Sequence, residues 1–358
     1  MILLAILVAG LSTMRVEARW ALTVFQVAML ALGAWRVRLD ATGLALAAVV
    51  AWGAVQWLSG WTVDAFRTQE VMLDWTVNLV GFAVALALAE DAERRERFLT
   101  GALIFAAGLS VVAMVTAPSG VFGPFVYRNQ YAAFVEVLLP VALVRAFVDR
   151  ERAWAYVGAA GLLFASVVAS GSRAGAVLCS TEVLVVPLLL GGRGAWKVIA
   201  GIATSVAGLT LVAGWEPLWA RFQEPRPYSL RWDLLQSSLE MWRSRPWTGW
   251  GLGTWSQVYP GFARYDDGTF VNQAHNDWAQ FAVEGGIPLL ALMLFVSARV
   301  LRPALRSVWG IGMLAVFAHC LVDYPLQQRP ALATFFFVML GMVMRGGGLR
   351  SHPKTHLF

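Results

Sequence analysis

A histidine and several polar residues lie together in the stretch NQAHNDWAQFAVEGG, residues 272–286, at the edge of an apolar segment. Its candidate functional side chains are those of His275, Asn276, Asp277, Gln280 and Glu284. An imidazole exchanges a proton near neutral pH, so His275 could activate a hydroxyl nucleophile. For an isolated histidine, however, a capping or packing role is the simpler interpretation.

The residues after His275 predict a short helix that fixes its backbone. Asn276 or Asp277 caps this helix, and two glycines break it before the next apolar segment begins. The capping residues are therefore expected to orient the imidazole indirectly. Glu284 is two helical turns away and is expected to pack or to face an acceptor.

The composition of the whole chain is that of a membrane protein. Of its 358 residues, 58% are hydrophobic and only 14% are charged, whereas a soluble domain is about 25% charged. A helix of about 20 apolar residues crosses a bilayer. The hydropathy pattern therefore predicts an all-α integral membrane protein with twelve spans, near residues 1–14, 20–35, 41–62, 73–89, 98–117, 131–148, 154–170, 174–191, 197–214, 279–298, 304–322 and 330–345.

The basic residues orient these spans. With the N-terminus in the cytoplasm, sixteen lysines and arginines lie on the cytoplasmic side and six in the short outer loops. The sixteen include Arg36, Arg193, Arg350 and Lys354. The net charge of +6 therefore follows the positive-inside rule and does not indicate a nucleic-acid partner.

This topology distinguishes His275 from the other three histidines. His319 falls within a span, whereas His352 and His356 fall in the cytoplasmic tail. His275 alone is expected at the outer mouth of the bundle. No histidine or cysteine stands at the spacing of metal ligands, so no metal site is expected.

Three arginines are also predicted on the outer side. They are Arg128 in VYRNQYAAF, Arg173 in SGSRAGA, within a six- or seven-residue turn, and Arg231 in LRWDLL. A planar guanidinium forms paired, charge-assisted hydrogen bonds with phosphate. Each arginine alone could anchor the chain at lipid headgroups, but the three together with His275 indicate an anionic ligand. Asn129 follows Arg128 at the same mouth.

The chain divides into three regions of one integral membrane domain. Residues 1–214 hold spans one to nine, residues 215–274 form a large outer loop, and residues 275–358 hold the His275 helix and the last three spans. The loop contains SLRWDLLQSSLEMW, whose spacing predicts an amphipathic helix that begins at Ser229 and ends before Pro246. The glycines of RPWTGWGLGTW are interpreted as a turn on the membrane surface, because a phosphate-binding loop would need a following Lys-Ser or Lys-Thr.

Two acidic residues, Glu136 and Glu182, fall inside predicted spans. A charge at that depth costs at least about 2.5–3.5 kcal/mol on insertion scales, so each needs a partner or a role. If their role is structural, these glutamates form hydrogen bonds between packed helices. If their role is functional, the two glutamates form part of a proton path, and this would favour a transporter.

Several segments together resemble the O-antigen ligase and polymerase superfamily. They are AHNDWAQFAVEGGIP, GSRAG, RWDLLQSSLEMWRSRPWTGWGLGTW, YRNQYAAFVEVLLP and AHCLVDYPLQQRPA, which cover roughly residues 120–335. The resemblance implies a GT-C-like bundle in the bacterial inner membrane with its active site in the periplasm. It also implies that the protein, surrounded by membrane lipids, transfers a glycan from an undecaprenyl-diphosphate carrier to a lipid A-core or glycan acceptor. The resemblance implies no metal and no other cofactor.

The resemblance also assigns roles to residues. His275 is expected to be catalytic and to accept the proton of the acceptor hydroxyl, although it could only hydrogen-bond a substrate while departure of the pyrophosphate drives the reaction. Arg173, Arg231 and Arg128 are expected to bind the donor diphosphate. The supporting residues are expected to be Asn276, Asp277, Glu284, Asp323 and Asn129.

Three alternatives remain at this point. A glycan polymerase or a protein O-oligosaccharyltransferase would differ from a ligase only in its acceptor. A transporter or lipid flippase would use Glu136 and Glu182 as coupling carboxylates, but no internal repeat supports it. A structural scaffold would tolerate replacement of His275 and the arginines.

Overall fold

The computed structural model describes residues 1–347, apart from residues 17, 35–36, 118–119, 192–193, 226–227, 265–267, 269 and 328. Six residues used in the topology prediction lie outside the described residues: Arg36, Arg193, Arg350, His352, Lys354 and His356. The described residues are mainly helical. Their only β pairing is an isolated bridge between Phe122 and Phe125.

Fifteen α-helices are described. The first nine are α1 Ile2–Ser12, α2 Arg19–Gly33, α3 Ala41–Leu58, α4 Ala65–Leu88, α5 Ala92–Thr116, α6 Arg128–Val148, α7 Ala153–Ser170, α8 Arg173–Leu190 and α9 Ala195–Ala213. The large loop holds α10 Glu216–Phe222, α11 Ser229–Ser244, α12 Trp255–Val258 and a 3-10 turn Tyr259–Phe262. The last three are α13 Asp277–Ser307, α14 Ile311–His319 and α15 Pro330–Arg345.

Eight of the described helices are long and apolar enough to cross a membrane: α3 to α9 and α13. Three more, α1, α2 and α15, are apolar but shorter. Polar caps begin several of them, as at α3, where the Asp40 carboxylate accepts hydrogen bonds from two backbone amides. The prediction of a polytopic all-α membrane protein is thereby confirmed.

The eleventh predicted span, residues 304–322, is wrong in its boundaries. Helix α13 continues to Ser307, and α14 has only nine residues. A hydropathy window runs through the chain reversal between them because both sides are apolar. Val308, with φ of 60°, ends α13 there.

Helix α14 returns the chain from the end of α13 to its beginning. A β-carbon on Gly310 would lie 2.8 Å from a methyl carbon of Val343, near the end of α15. At the other end of α14, the Cys320 carbonyl accepts a hydrogen bond from the Asp277 amide at 2.9 Å. The residues after α14 therefore lie beside the first turn of α13.

Helix α6 forms the centre of the bundle. Its residues from Asn129 to Ala146 are all buried, and it packs against α7, α8 and α14. Helix α4 packs against α15 and α3 on one flank, and α7 packs against α9 on the other. The end of the bundle at which α6, α8 and α13 begin is called the site end here.

The Gly/Trp turn, which is the segment RPWTGWGLGTW of residues 245–255, packs on α13. The Trp250 and Gly251 amides donate hydrogen bonds of 3.0 Å to the carbonyls of Val283 and Glu284. Gly251 has φ of +112°, and a β-carbon there would collide with Thr62. Glycine is required because the turn follows a left-handed backbone conformation and approaches its neighbour closely.

The amphipathic helix predicted in the loop is present as α11, and it packs against α13. It begins at Ser229 as expected, but the position before the first turn is held by Tyr228 and no side chain caps it. The run ends at Ser244, before Pro246. The loop helix is thus fixed to the site end of the bundle.

Candidate functional site

The turn between α7 and α8 places Arg173 and Asn129 side by side. It consists of Gly171 and Ser172 only, whereas a six- or seven-residue turn was predicted. Gly171 closes α7 with φ of +70°, so no longer loop is needed. The Ser172 hydroxyl caps α8 at the Gly175 amide and donates a 2.8 Å hydrogen bond to Asn129 Oδ1.

Asp323 joins the site residues of three separate segments. Its Oδ2 accepts a 2.8 Å hydrogen bond from Arg231 Nη2 and another from Asn129 Nδ2. Its Oδ1 lies 3.8 Å from His275 Nδ1, within ion-pair range but longer than a hydrogen bond. Asp323 is only 1% exposed. Its charge is therefore buried, and these partners compensate for the loss of water around it.

The environment of Asp323 favours its ionised form. Burial alone would raise the pKa of this carboxyl, but His275 and the positive charge of Arg231 outweigh burial and hold the pKa below its ordinary value. Asp323 is therefore a carboxylate at neutral pH. It can hold the imidazole with Nδ1 toward it, which leaves Nε2 for a substrate.

The backbone and two aromatic rings hold His275 in place. His275 has φ of +51°, a conformation that side chains other than glycine adopt only when their surroundings impose it. Its ring meets the Tyr324 ring edge-on, with 4.7 Å between the centroids, and Tyr127 stacks on Tyr324 at 5.8 Å. Directly after it, Asn276 caps α13 by accepting a 2.9 Å hydrogen bond from the Ala279 amide.

The two tyrosines stay protonated at neutral pH. Burial, followed by the charge of Asp323, raises the pKa of both Tyr127 and Tyr324. Neither phenol can therefore serve as a base near neutrality. Both tyrosines adjoin predicted residues, Arg128 and Asp323, and that proximity was the only signal for them in the sequence.

Four arginines form what is called the arginine cluster here: Arg128, Arg173, Arg221 and Arg231. The Tyr228 ring lies between two of them, with Arg173 Cζ at 4.9 Å and Arg231 Cζ at 5.5 Å from its centroid. Arg173 Nη1 donates a 2.8 Å hydrogen bond to the Arg221 carbonyl. A β-carbon on Gly171 would lie 3.7 Å from both Arg128 Nη1 and Arg221 Cδ.

The arginine cluster has more positive than negative charge. Arg173 pairs with Glu224 at 3.0 Å, and Arg231 pairs with Asp323. Within the described part of the chain, Arg128 and Arg221 form no ion pair, and Arg221 Nε is buried without a hydrogen-bond partner. Burial and the charges of Arg128 and Arg173 lower the pKa of the Arg221 guanidinium. A bound anion would relieve this repulsion.

Sequence reasoning missed Arg221 and Tyr228. Arg221 stands in EPLWARF, a short helix with an ordinary mixture of polar and apolar residues, and nothing in it marks an anion site. Only the packing of α10 against α7 and α8 brings it to Arg173. Tyr228 directly precedes α11, and no pattern in the sequence marked it as a site residue.

Two predicted supporting residues lie beside the site and not within it. Asp277 accepts a 2.9 Å hydrogen bond from the Leu326 amide and so ties down the segment that carries Asp323. Glu284 accepts hydrogen bonds from Gln280 Nε2 at 2.9 Å and from the Gly253 amide at 2.8 Å. These contacts give Glu284 a packing role at the Gly/Trp turn.

The acids inside the spans do not reach the arginine cluster. Glu136 on α6 forms a 2.8 Å hydrogen bond with His319 on α14, and both side chains are fully buried. This is the helix–helix hydrogen bond that was the structural alternative for Glu136. Glu182 forms no hydrogen bond among the described residues.

These features define a polytopic helical membrane protein with a histidine–carboxylate pair and an arginine cluster at one end of its bundle. Residues 158–294 match the family model described as O-antigen ligase. The match includes Arg173, Arg231 and His275, and it supports the O-antigen ligase and polymerase superfamily that the motifs indicate. Over these residues the chain is similar to O-antigen ligases. No curated protein matches it.

Proposed function

We propose that this protein is a glycosyltransferase that moves a glycan from an undecaprenyl-diphosphate carrier to an acceptor hydroxyl. We infer that it acts as a ligase, at the periplasmic face of the bacterial inner membrane and without a metal. The observation that carries the proposal is the arginine cluster, with two cations unpaired among the described residues, beside a histidine held against a buried carboxylate.

The arginine cluster suits the leaving group. When the bond between sugar C1 and the diphosphate oxygen breaks, its electron pair stays on that oxygen and the negative charge there increases. Arg128 and Arg221 can then stabilise charge that develops in the transition state, which is the interaction that raises the rate. We propose that these guanidinium groups, and not a metal ion, supply the positive charge for this step.

The histidine–carboxylate pair suits the nucleophile. The acceptor oxygen forms a bond to C1 and loses its proton to His275 Nε2. The resulting imidazolium lies 3.8 Å from Asp323, whose negative charge stabilises it. A positioned general base of this kind contributes about 10²–10⁴-fold to the rate.

Reconstitution of the purified protein tests this function. Proteoliposomes receive an undecaprenyl-diphosphate oligosaccharide and, separately, lipid A-core, the free donor glycan and a serine- or threonine-containing protein. We expect transfer to lipid A-core with release of undecaprenyl diphosphate. Transfer to the glycan or the protein would instead identify a polymerase or a protein O-oligosaccharyltransferase with the same site.

A matched pair of variants separates the site from the surrounding surface. Arg231→Ala should abolish most of the transfer, whereas Arg243→Ala on the exposed part of the same helix should leave it unchanged. Movement of the intact carrier across the membrane, without cleavage of the sugar–phosphate bond, would support the flippase alternative.

A further inference from the structure

A polar cavity of about 380 Å³ lies next to the site, between α2, α4 and α15. The loop residues around Ser256 and Gln273 close it on a further side. Its volume is in the range of about 300–1,000 Å³ that is typical of small-molecule pockets. Neither the histidine–carboxylate pair nor the arginine cluster accounts for it.

The cavity is lined by three arginines, Arg19, Arg67 and Arg329, and by two acidic residues, Glu70 and Asp74. Arg19 and Arg67 both pair with Glu70, at 2.9 Å and 3.2 Å. Gln26 donates a 2.8 Å hydrogen bond to Asp74. The cavity differs from the arginine cluster because carboxyl groups and several side-chain amides line it beside its arginines, and such groups can bind the hydroxyl groups of a sugar.

Gln273 supplies an unused hydrogen-bond acceptor in the cavity wall. The residue is only 7% exposed, and its Oε1 has no hydrogen-bond partner among the described residues. A buried polar atom without a partner is unfavourable, so such atoms are rare and call for an explanation. A ligand hydroxyl in the cavity would satisfy this amide oxygen.

The segments that carry His275 and Asp323 also contribute residues to the cavity wall. Gln273 stands two residues before His275 in the same segment. Leu326, which also lines the cavity, follows Asp323 by three residues. Asp323 itself bonds Arg231 of the arginine cluster.

We propose that this cavity binds the acceptor sugar that carries the attacking hydroxyl. The inference rests on the proposed function, because a transfer reaction needs a site for the acceptor sugar as well as a site for the donor diphosphate. The donor diphosphate occupies the arginine cluster. The acceptor hydroxyl then reaches His275 from the cavity side.

Steady-state kinetics test the assignment. Gln273→Leu and Asn272→Leu should raise the acceptor KM by about tenfold, the value of one good hydrogen bond, with kcat and donor KM within about twofold of wild type. The matched control is Gln257→Leu, an exposed glutamine next to Ser256 that does not line the cavity. Because Gln273→Leu removes a buried unpaired atom, it should not lower the melting temperature. A rise in donor KM, or an unchanged acceptor KM, would overturn the proposal.

A binding experiment separates this inference from the proposed function. Ser256→Cys places a thiol in the cavity wall, while the native Cys179 and Cys320 are buried. The probes are lipopolysaccharide core oligosaccharide, free donor glycan and undecaprenyl diphosphate. One of the two glycans should slow maleimide labelling of the introduced thiol at least about threefold, and undecaprenyl diphosphate should not.

The outcomes are distinct. If neither glycan slows the labelling, or if only the lipid diphosphate does, the cavity is not the acceptor site. If a glycan protects the thiol but the reconstituted wild-type protein transfers no sugar, the sugar site stands and the transferase function fails.

Discussion

Asp323 is the residue at which the predicted base and the predicted anion site are coupled. One carboxylate oxygen accepts hydrogen bonds from Arg231 and Asn129, and the other faces His275. A change at Asp323 therefore affects both halves of the site. Substitutions of His275 and of the arginines are needed to separate them.

The first prediction concerns the pH dependence of His275. A general base acts only when it is deprotonated, so the wild-type rate should fall on the acid side of its pH profile. In His275→Gln this acid limb should disappear together with about 10²–10⁴-fold of the rate. The test measures turnover against pH for both proteins, and donor binding and expression are checked as controls. A variant with near-normal turnover would remove His275 from the mechanism.

Asp323 does not produce that limb, because its pKa is held below its ordinary value. The lowered pKa of Asp323 also determines how the stability that this carboxyl contributes changes with pH. The ionised carboxylate stabilises the folded state at pH values above its ordinary pKa, about 3.9, and this contribution is lost as the pH falls through the lowered value. From about pH 5 upward Asp323 stays charged. Asp323→Asn should therefore lower the rate throughout the profile.

The second prediction concerns the two cations that are unpaired among the described residues. Arg128→Ala and Arg221→Ala should each raise the donor KM or Kd by about 10–100-fold, because a hydrogen bond to a charged group contributes about 1.5–3 kcal/mol. Binding of undecaprenyl diphosphate to the purified variants measures this effect, with Arg243→Ala as control.

Arg173 provides a test of geometry within the same cluster. Arg173→Lys keeps the charge but loses the planar, two-pronged contact, so activity should still fall sharply. The diphosphate assignment would be wrong if Arg173→Ala and Arg231→Ala both left donor binding and turnover intact.

At the scale of elements, a kink in α13 determines where His275 is held. Gly286 has φ of +64° inside that helix. It divides a short first part, which packs under the Gly/Trp turn, from the long apolar part. Trp52 Nε1 donates a 2.9 Å hydrogen bond to the carbonyl of Gly285 at this kink. The predicted break at the two glycines is thus confirmed, because the backbone at Gly286 is not helical and separates two helical parts of α13.

The third prediction concerns this kink. Gly286→Ala should destabilise the protein by at least about 1–3 kcal/mol, because the new β-carbon would adopt a left-handed conformation and would also approach the carbonyl oxygens of Pro246 and Trp247 at 2.7 Å and 2.5 Å. Thermal unfolding in detergent measures the loss.

Gly108→Ala is the matched control for this test. Gly108 lies on the exposed side of α5, and a β-carbon there would meet nothing within 4 Å. The change should be neutral or stabilising by about 0.5–1 kcal/mol. Equal melting temperatures for Gly286→Ala and wild type would mean that the kink is not required.

At the scale of the whole molecule, the polar groups of the proposed site gather at one end of the bundle, while Glu136 and His319 pair within its core. The fourth prediction states which side of the membrane the site end faces. Gly261→Cys in the large loop should react with a membrane-impermeant maleimide added from outside, and Gly347→Cys after α15 should not. Both positions have open space for a side chain. The reverse labelling would place the site in the cytoplasm.

Much of the candidate site could be predicted from local signals. The Asn276 cap, the break at Gly285 and Gly286, and the helix from Ser229 depend on neighbouring residues, and they are present. The eleventh span was wrong because both sides of the reversal at Val308 are apolar. The packing of the Gly/Trp turn on α13 could not be predicted, because its partners Val283 and Glu284 lie in another segment of the chain.

Hydropathy, caps and helix-breaking residues act over a few neighbours, so the sequence alone predicts a membrane protein, its helices and the residue types of the proposed site. The folded protein alone shows that Asp323 lies between His275 and Arg231, that Arg221 belongs to the arginine cluster, and that Glu284 packs at the Gly/Trp turn. These contacts join residues that are tens to almost two hundred positions apart. They form when helices pack, and the packing of buried faces is a property of the whole chain.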